Sequence, residues 1–262
     1  EHAGTGCAGD EGATEEAPYN LLVPRSACPK CGHAIGALEN VPVLSWLVLR
    51  GRCRGCGAPI SVRYPVVEAV TAAVAGGATL VQLRDKRGDA RATVALARRL
   101  KAALPATVPL LINDRVDVAA VAGADGVHLG QEDLSPADAR AVLGENAIVG
   151  LTVHHAREAT ADARLDYVGL GPAFATASKH PRDAPLGPDG LARLVGEVRA
   201  RLGEIPACAI AGIDADRAPA VVRAGVDGVA VIGALFQAAD VEAAARALRR
   251  AVDAALVERS RP

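Results

Sequence analysis

From Val66 onward, short runs rich in β-branched and aliphatic residues alternate with Ala/Leu/Arg segments of helical period. The runs predict strands at 79–85, 108–114, 126–130, 147–153, 167–172, 206–212 and 228–233. The segments between and after them predict helices at 90–104, 116–122, 135–143, 155–163, 188–202, 216–224 and 240–257, and another helix at 66–75 precedes the first strand. Strand and helix in strict alternation make βα units around a parallel sheet. Seven units predict an α/β fold, a TIM (β/α)8-type barrel with its first strand missing or substituted. A doubly wound open sheet is the structural alternative, but no GxGxxG turn follows an early strand. Polar residues instead gather at the ends of many strands, as a barrel site requires.

The chain ahead of Val66 has a different texture. Residues 1–18 are rich in Gly, Ala, Glu and Thr with almost no large apolar side chain, so burial there cannot offset ordering entropy, and a disordered tail is expected. Tyr19 to Pro65 holds paired cysteines, several glycines and prolines, and one apolar stretch around Trp46. It is expected to form a small, metal-dependent module. Its last residues, Ile60 to Tyr64, alternate apolar and polar between Pro59 and Pro65. They are expected to substitute for the missing strand, with Val62 pairing between 79–85 and 228–233.

Half of the 262 residues are apolar, enough for one large domain and a small one. Twenty-nine basic and thirty acidic residues leave a formal net charge of -1, which gives no global attraction to nucleic acid or anionic membranes. The run Val41–Leu49 is broken by Pro42 and Ser45 and is far shorter than the roughly 20 residues of a spanning helix. No secretory signal heads the chain, and the lack of any Met places the start codon outside this sequence. Of six cysteines, Cys28, Cys31, Cys53 and Cys56 form two CxxC pairs 21 residues apart, a spacing that favours metal over disulfides. Thiolate ligands fit a reducing, cytoplasmic setting.

The strand ends read QLRDK (82–86), IND (112–114), HLGQED (128–133), TVHH (152–155) and GPAFATASK (171–179). Singly, each is an ordinary solvated cation or helix-capping acid. Together they set Gln82, Arg84, Lys86, Asn113, Asp114, Asp133, Thr176, Ser178 and Lys179 on one rim. Asp114 and Asp133 supply hard oxygen donors for a divalent metal, and Arg84, Lys86 and Lys179 offset phosphate charge. The turns Ala211-Gly212-Ile213 and Val231-Ile232-Gly233 follow the last two strands, where barrels bind phosphate through backbone N–H groups.

QLRDK, LINDRVDVAAVAGADGVHLGQEDL, VGLGPAFATASK and the AGI and VAVIG turns resemble thiamine phosphate synthase over about three quarters of the chain. The resemblance implies condensation of a hydroxymethylpyrimidine diphosphate with a thiazole phosphate, releasing pyrophosphate. It implies Mg2+ on Asp114 and Asp133, and Gln82, Arg84, Lys86, Asn113, Thr152 and Lys179 around the pyrimidine diphosphate. Thr176, Ser178, Gly212, Ile232 and Gly233 would hold the thiazole phosphate. The amino-pyrimidine stabilises positive charge at its exocyclic CH2, so the protein need supply only leaving-group neutralisation and positioning. His128, His154 and His155 are therefore expected to cap or pack. Gly233 departs from the serine common in the family, which removes one hydroxyl donor to phosphate.

Tyr19 to Ala72 resembles the N-terminal cytoplasmic segment of type IV prepilin peptidases. That implies a structural zinc site on Cys28, Cys31, Cys53 and Cys56; the family's membrane spans and catalytic aspartates lie beyond the matched segment. The expected division is a tail over 1–18, a zinc module over 19–65 and a barrel over 66–262. The two resemblances overlap at VVEAVTAAVAGGA, so the chain reads as a fusion. Two rivals stay open: a thiazole tautomerase-like enzyme of the same fold, and a non-catalytic fusion whose zinc module binds a partner.

Overall fold

A computed structural model describes residues 30–33, 52–58, 63–86, 89–160, 164–176 and 184–261. The expected tail at 1–18, and Cys28, Ser178 and Lys179, lie outside the described residues. Helix α1 (Arg63–Ala75) leads into strand β1 (Val81–Leu83), and then α2 (Ala90–Ala103), β2 (Leu110–Asn113), α3 (Val116–Ala122) and β3 (Gly126–Leu129) follow. After these come α4 (Pro136–Leu143), β4 (Ile148–Val153), β5 (Tyr167–Leu170), α5 (Gly187–Leu202) and β6 (Ala207–Ile210). The described chain closes with α6 (Ala218–Arg223), β7 (Gly228–Ala230), the short α7 (Gly233–Phe236) and α8 (Val241–Arg259).

All seven strands are parallel and pair in chain order, β1 to β7. Every predicted strand is present and shorter by one to four residues. The middle strands are apolar on both faces and buried: Leu110, Leu111, Val127, Leu129, Val149, Val168 and Leu170 are all closed to solvent. That is the signature of a sheet covered on one side by helices and filled on the other by its own curvature.

The two outer strands differ. Gln82 in β1 and Ala230 in β7 are exposed, as are Leu80 and Ile232 beside them. Among the described residues no strand lies between β7 and β1. The outer layer nevertheless continues across this seam, since α1 packs against both α2 and α8. The approach to α8 is close: a Cβ on Gly76 would sit 2.4 Å from the Glu242 carbonyl oxygen. Among the described residues the sheet is thus a barrel wall of seven strands beneath a helical layer that spans the seam.

Two expectations need correction. The segment Ile60–Tyr64 is not a strand to its end, because Arg63 and Tyr64 already belong to α1 and Pro65 sits in that helix's first turn, where a missing N–H costs nothing; Ile60 to Val62 lie outside the described residues. The helix expected at 155–163 reduces to a single 3-10 turn over Ala156–Glu158, with Ala159 and Thr160 non-helical and 161–163 not described. The Glu158 carboxylate accepts from the N–H groups of His154 (2.7 Å) and His155 (3.2 Å) and so satisfies the start of the turn.

At the N-terminal end of the sheet one device recurs. Asp125, Asp166 and Asp227 each precede an odd-numbered strand and accept an N–H from the first or second residue of the even-numbered neighbour: Leu110 at 2.7 Å, Val149 at 2.7 Å and Ala207 at 3.0 Å. Each also meets a cation from the helix that precedes that neighbour: Lys101 at 2.5 Å, Arg140 at 2.7 Å and Arg199 at 2.7 Å. A short acceptor at a strand start thereby joins two strands and one helix, which fixes register without apolar contact.

Candidate active site

The opposite, C-terminal ends of the strands carry the predicted rim. Gln82 lies in β1, with Arg84 and Lys86 just past it; Asn113 ends β2; Asp133 is in the loop after β3; Thr152 is in β4; Thr176 follows β5; and Gly212 follows β6. Ile232 is the N-cap of α7 and Gly233 its first residue.

Asp114 occupies a left-handed conformation, φ 61°, which Asp tolerates better than most residues. Its N–H donates to the His128 carbonyl at 2.9 Å, so β3 fixes its backbone. Its carboxylate accepts from Asn113 Nδ2 at 2.7 Å and pairs with the Lys86 ammonium. Arg115, rather than Asp114, holds the N-cap position of α3, so this acid is not spent on capping. Asp133 accepts the Gly130 N–H at 2.7 Å. Burial pushes its carboxyl above the usual range, helped by the adjacent Asp114 and opposed by the Gly130 N–H and Lys86. Two carboxylates from neighbouring strand ends therefore face one ammonium, and their mutual repulsion is relieved by a cation of higher charge. Oxygen donors in this arrangement fit a hard divalent ion such as Mg2+.

Behind this pair runs a buried polar chain that the motifs did not reveal. The His128 ring lies between Tyr167 and Thr152, with Nδ1 2.8 Å from the Tyr167 hydroxyl and Nε2 2.7 Å from Thr152 Oγ1. Gln131 Nε2 donates to the Thr152 carbonyl at 2.7 Å. Gly150 is needed here, because a Cβ would lie 2.2 Å from the Tyr167 ring. Burial drives the Tyr167 hydroxyl pKa well up, so it stays neutral and serves as a donor or acceptor. His128 thus packs and orders Thr152.

Separately, Cys31, Cys53 and Cys56 gather their sulfurs within 4.8 Å of one another, with Cys31 and Cys53 3.9 Å apart. Each CxxC is followed by a glycine at φ 67°, Gly32 and Gly57. Gly55 lets His33 lie against the second turn; a Cβ there would be 3.0 Å from the His33 side chain. Three sulfurs this close can supply three corners of a tetrahedral thiolate site. The fourth expected ligand, Cys28, is outside the described residues. Among the described residues no helix is long and apolar enough to cross a membrane.

Comparison with known proteins shows the family. Residues 58–235 match the family described as Thiamine monophosphate synthase, and residues 13–81 match the Bacterial Peptidase A24 N-terminal domain. Relatives named Thiamine-phosphate synthase include one from Agrobacterium fabrum, 48% identical over 74% of this chain and 90% of its own. Another is from Xanthobacter autotrophicus, 51% identical over 71% and 87%. The solved structure of thiamine phosphate pyrophosphorylase from Pyrococcus furiosus superposes with a TM-score of 0.64 at 36% identity, covering 72% of this chain and 90% of that one. A 3-hexulose-6-phosphate synthase shares the fold alone, with a TM-score of 0.55 at 20% identity. With the paired acids at the rim and a match spanning most of the sheet, the chain belongs to the thiamine monophosphate synthase family, fused behind a segment of the Peptidase A24 N-terminal type.

Proposed function

We propose that this chain acts as a thiamine phosphate synthase, condensing hydroxymethylpyrimidine diphosphate with thiazole phosphate and releasing pyrophosphate. The observation that carries the reading is the cluster of Lys86, Asn113, Asp114 and Asp133 on adjacent strand ends, in a chain 48% identical to a protein of that name. Asp114 and Asp133 would hold Mg2+, which when bound offsets charge on the diphosphate as its bond to carbon breaks. Arg84, Lys86 and Lys179 stabilise the departing pyrophosphate, and Gln82, Asn113 and Thr152 place the pyrimidine. Thr176, Ser178, Gly212, Ile232 and Gly233 hold the thiazole phosphate so that the ring nitrogen meets the CH2. No general base is required of the protein. Purified chain given both substrates and Mg2+ is expected to form thiamine phosphate, and to form none when either substrate is left out. Formation of no thiamine phosphate with everything present would reject the reading.

Gly233 supports a graded prediction. Its Cβ position is open, with Gln237 no closer than 3.5 Å, and its φ is not positive, so serine fits. A hydroxyl there adds one hydrogen bond to a charged acceptor, about 1 kcal/mol or somewhat more. Gly233→Ser is therefore expected to lower the KM for thiazole phosphate about fivefold, read from initial rates with that substrate varied; an unchanged KM would place the phosphate elsewhere.

The N-terminal part is assigned as a structural zinc module over 19–65 after a tail at 1–18, with the barrel over 66–262 and the whole placed in the cytoplasm. α1 runs unbroken across 65 and 66, so the two parts share a helix. Cys31→Ser combined with Cys53→Ser is expected to abolish stoichiometric zinc while turnover stays near that of the parent. One equivalent of zinc retained, measured by mass spectrometry of metals, would show that the ligands are other residues.

A further inference from the structure

The turn after β6 is held from outside by one residue that no motif contains. Ala211 and Gly212 adopt consecutive positive φ values, 75° and 66°. A side chain at Gly212 would lie 2.4 Å from the Ala175 carbonyl, so the loops after β5 and β6 touch backbone to backbone. The Ala211 carbonyl accepts from the Phe174 N–H at 3.2 Å, and the Gly212 carbonyl from Arg217 Nη1 at 2.8 Å. The Arg217 guanidinium also lies over the Phe174 ring, 5.2 Å from its centroid. The Arg217 backbone N–H in turn bonds Asp214 Oδ1 at 2.9 Å. One arginine therefore ties the β5 loop to the β6 turn.

The consequence follows from peptide geometry. In a trans peptide the N–H points opposite to the C=O. With the carbonyls of Ala211 and Gly212 both engaged by the Phe174–Arg217 side, the N–H groups of Gly212 and Ile213 are turned the other way. Arg217 is needed because two positive φ values in a row, one of them at an alanine, are costly to hold without outside support.

We infer that Arg217 is a positioning residue for the phosphate-binding turn, fixing the Gly212–Ile213 peptide so that its amides meet the thiazole phosphate. This rests on the proposed role of Gly212. Arg217 needs no contact with the ligand, and its work is done through Gly212 and Phe174.

The test is titration calorimetry of the full chain with thiazole phosphate, comparing wild type, Arg217→Met and Arg217→Lys, alongside steady-state turnover. Met keeps a stem over Phe174 but cannot donate, and is expected to raise the Kd and KM for thiazole phosphate about five- to tenfold. Lys is expected to recover part of that loss. The KM for the pyrimidine diphosphate should stay within about twofold, which a general loss of structure would not allow. A Kd for thiazole phosphate unchanged in Arg217→Met, or both substrates weakened in step, would overturn the inference. Tight binding without turnover in the wild type would reject the proposed reaction and leave the brace standing. Absence of thiazole phosphate binding in the wild type would overturn the brace itself.

Discussion

Asp114→Asn and Asp133→Asn are each expected to lower kcat/KM by roughly two to three orders of magnitude, the range seen when one preorganised electrostatic group is removed. Asparagine is the informative replacement at 114, because φ there is 61° and alanine would add about 1–2 kcal/mol of backbone strain. It keeps the shape and an acceptor oxygen while removing the charge that pairs with Lys86. In Asp133→Asn the side-chain oxygen can still accept from Gly130, so the loop after β3 should keep its form. The measurement is initial rate against each substrate at several Mg2+ concentrations, with circular dichroism melts as the control. Both variants running within about threefold of the parent would remove these acids from the metal-binding role.

The second large effect is on stability. Arg140 is only 8% exposed although charged, and it lies between α4 and the strand starts. It donates to the carbonyls of Arg164, Glu145 and Ala147 and to the Asp166 carboxylate. Arg140→Ala would leave those part-buried acceptors without this donor and open a void where the stem lay. A cost of about 3 kcal/mol is expected, from several lost hydrogen bonds to a charged donor and the void left by its buried stem. For a domain of this size that is roughly 6–12 °C in Tm. Asp166→Asn should be far milder, about 1 kcal/mol, since Asp166 is 46% exposed and solvent screens the pair. Urea melts that put Arg140→Ala within about 1 kcal/mol of the parent would refute this ranking.

The barrel was readable from sequence because its strands are continuous apolar runs and its helices keep a separate period. Leu110 to Asn113 and Tyr167 to Leu170 needed no other signal. The 155–163 segment misled because its composition suits a helix, whereas Glu158 folds back on the His154 and His155 amides and closes the turn early. At the rim, Asp114 and Asp133 were visible through their place in IND and GQED. Arg217 was not, since a single arginine at the start of a predicted helix carries no pattern and Phe174 is brought to it by another strand's loop. The His128–Thr152–Tyr167 chain was hidden for the same reason. The three strand-start acids did leave a trace: Ala124-Asp125-Gly126-Val127, Leu165-Asp166-Tyr167-Val168 and Val226-Asp227-Gly228-Val229 repeat an apolar-Asp-x-Val phrase.

Those three acids join β2 to β3, β4 to β5 and β6 to β7, and leave β1 as the one strand outside a joined pair. β1 is also short, exposed at Gln82, and, among the described residues, bonded to a neighbour on one side only. In native-state hydrogen exchange such a strand belongs to the least protected cooperative unit, opening at a free energy well below that of global unfolding. Yet Gln82, Arg84 and Lys86, the proposed grip on the diphosphate, are on or just past it. Ligand held there binds only the closed form and so draws the local equilibrium toward it by mass action. Occupancy of the diphosphate site is then linked to the order of the first strand: part of the binding free energy goes into closing β1, and the slowest-exchanging form of this edge is the loaded enzyme.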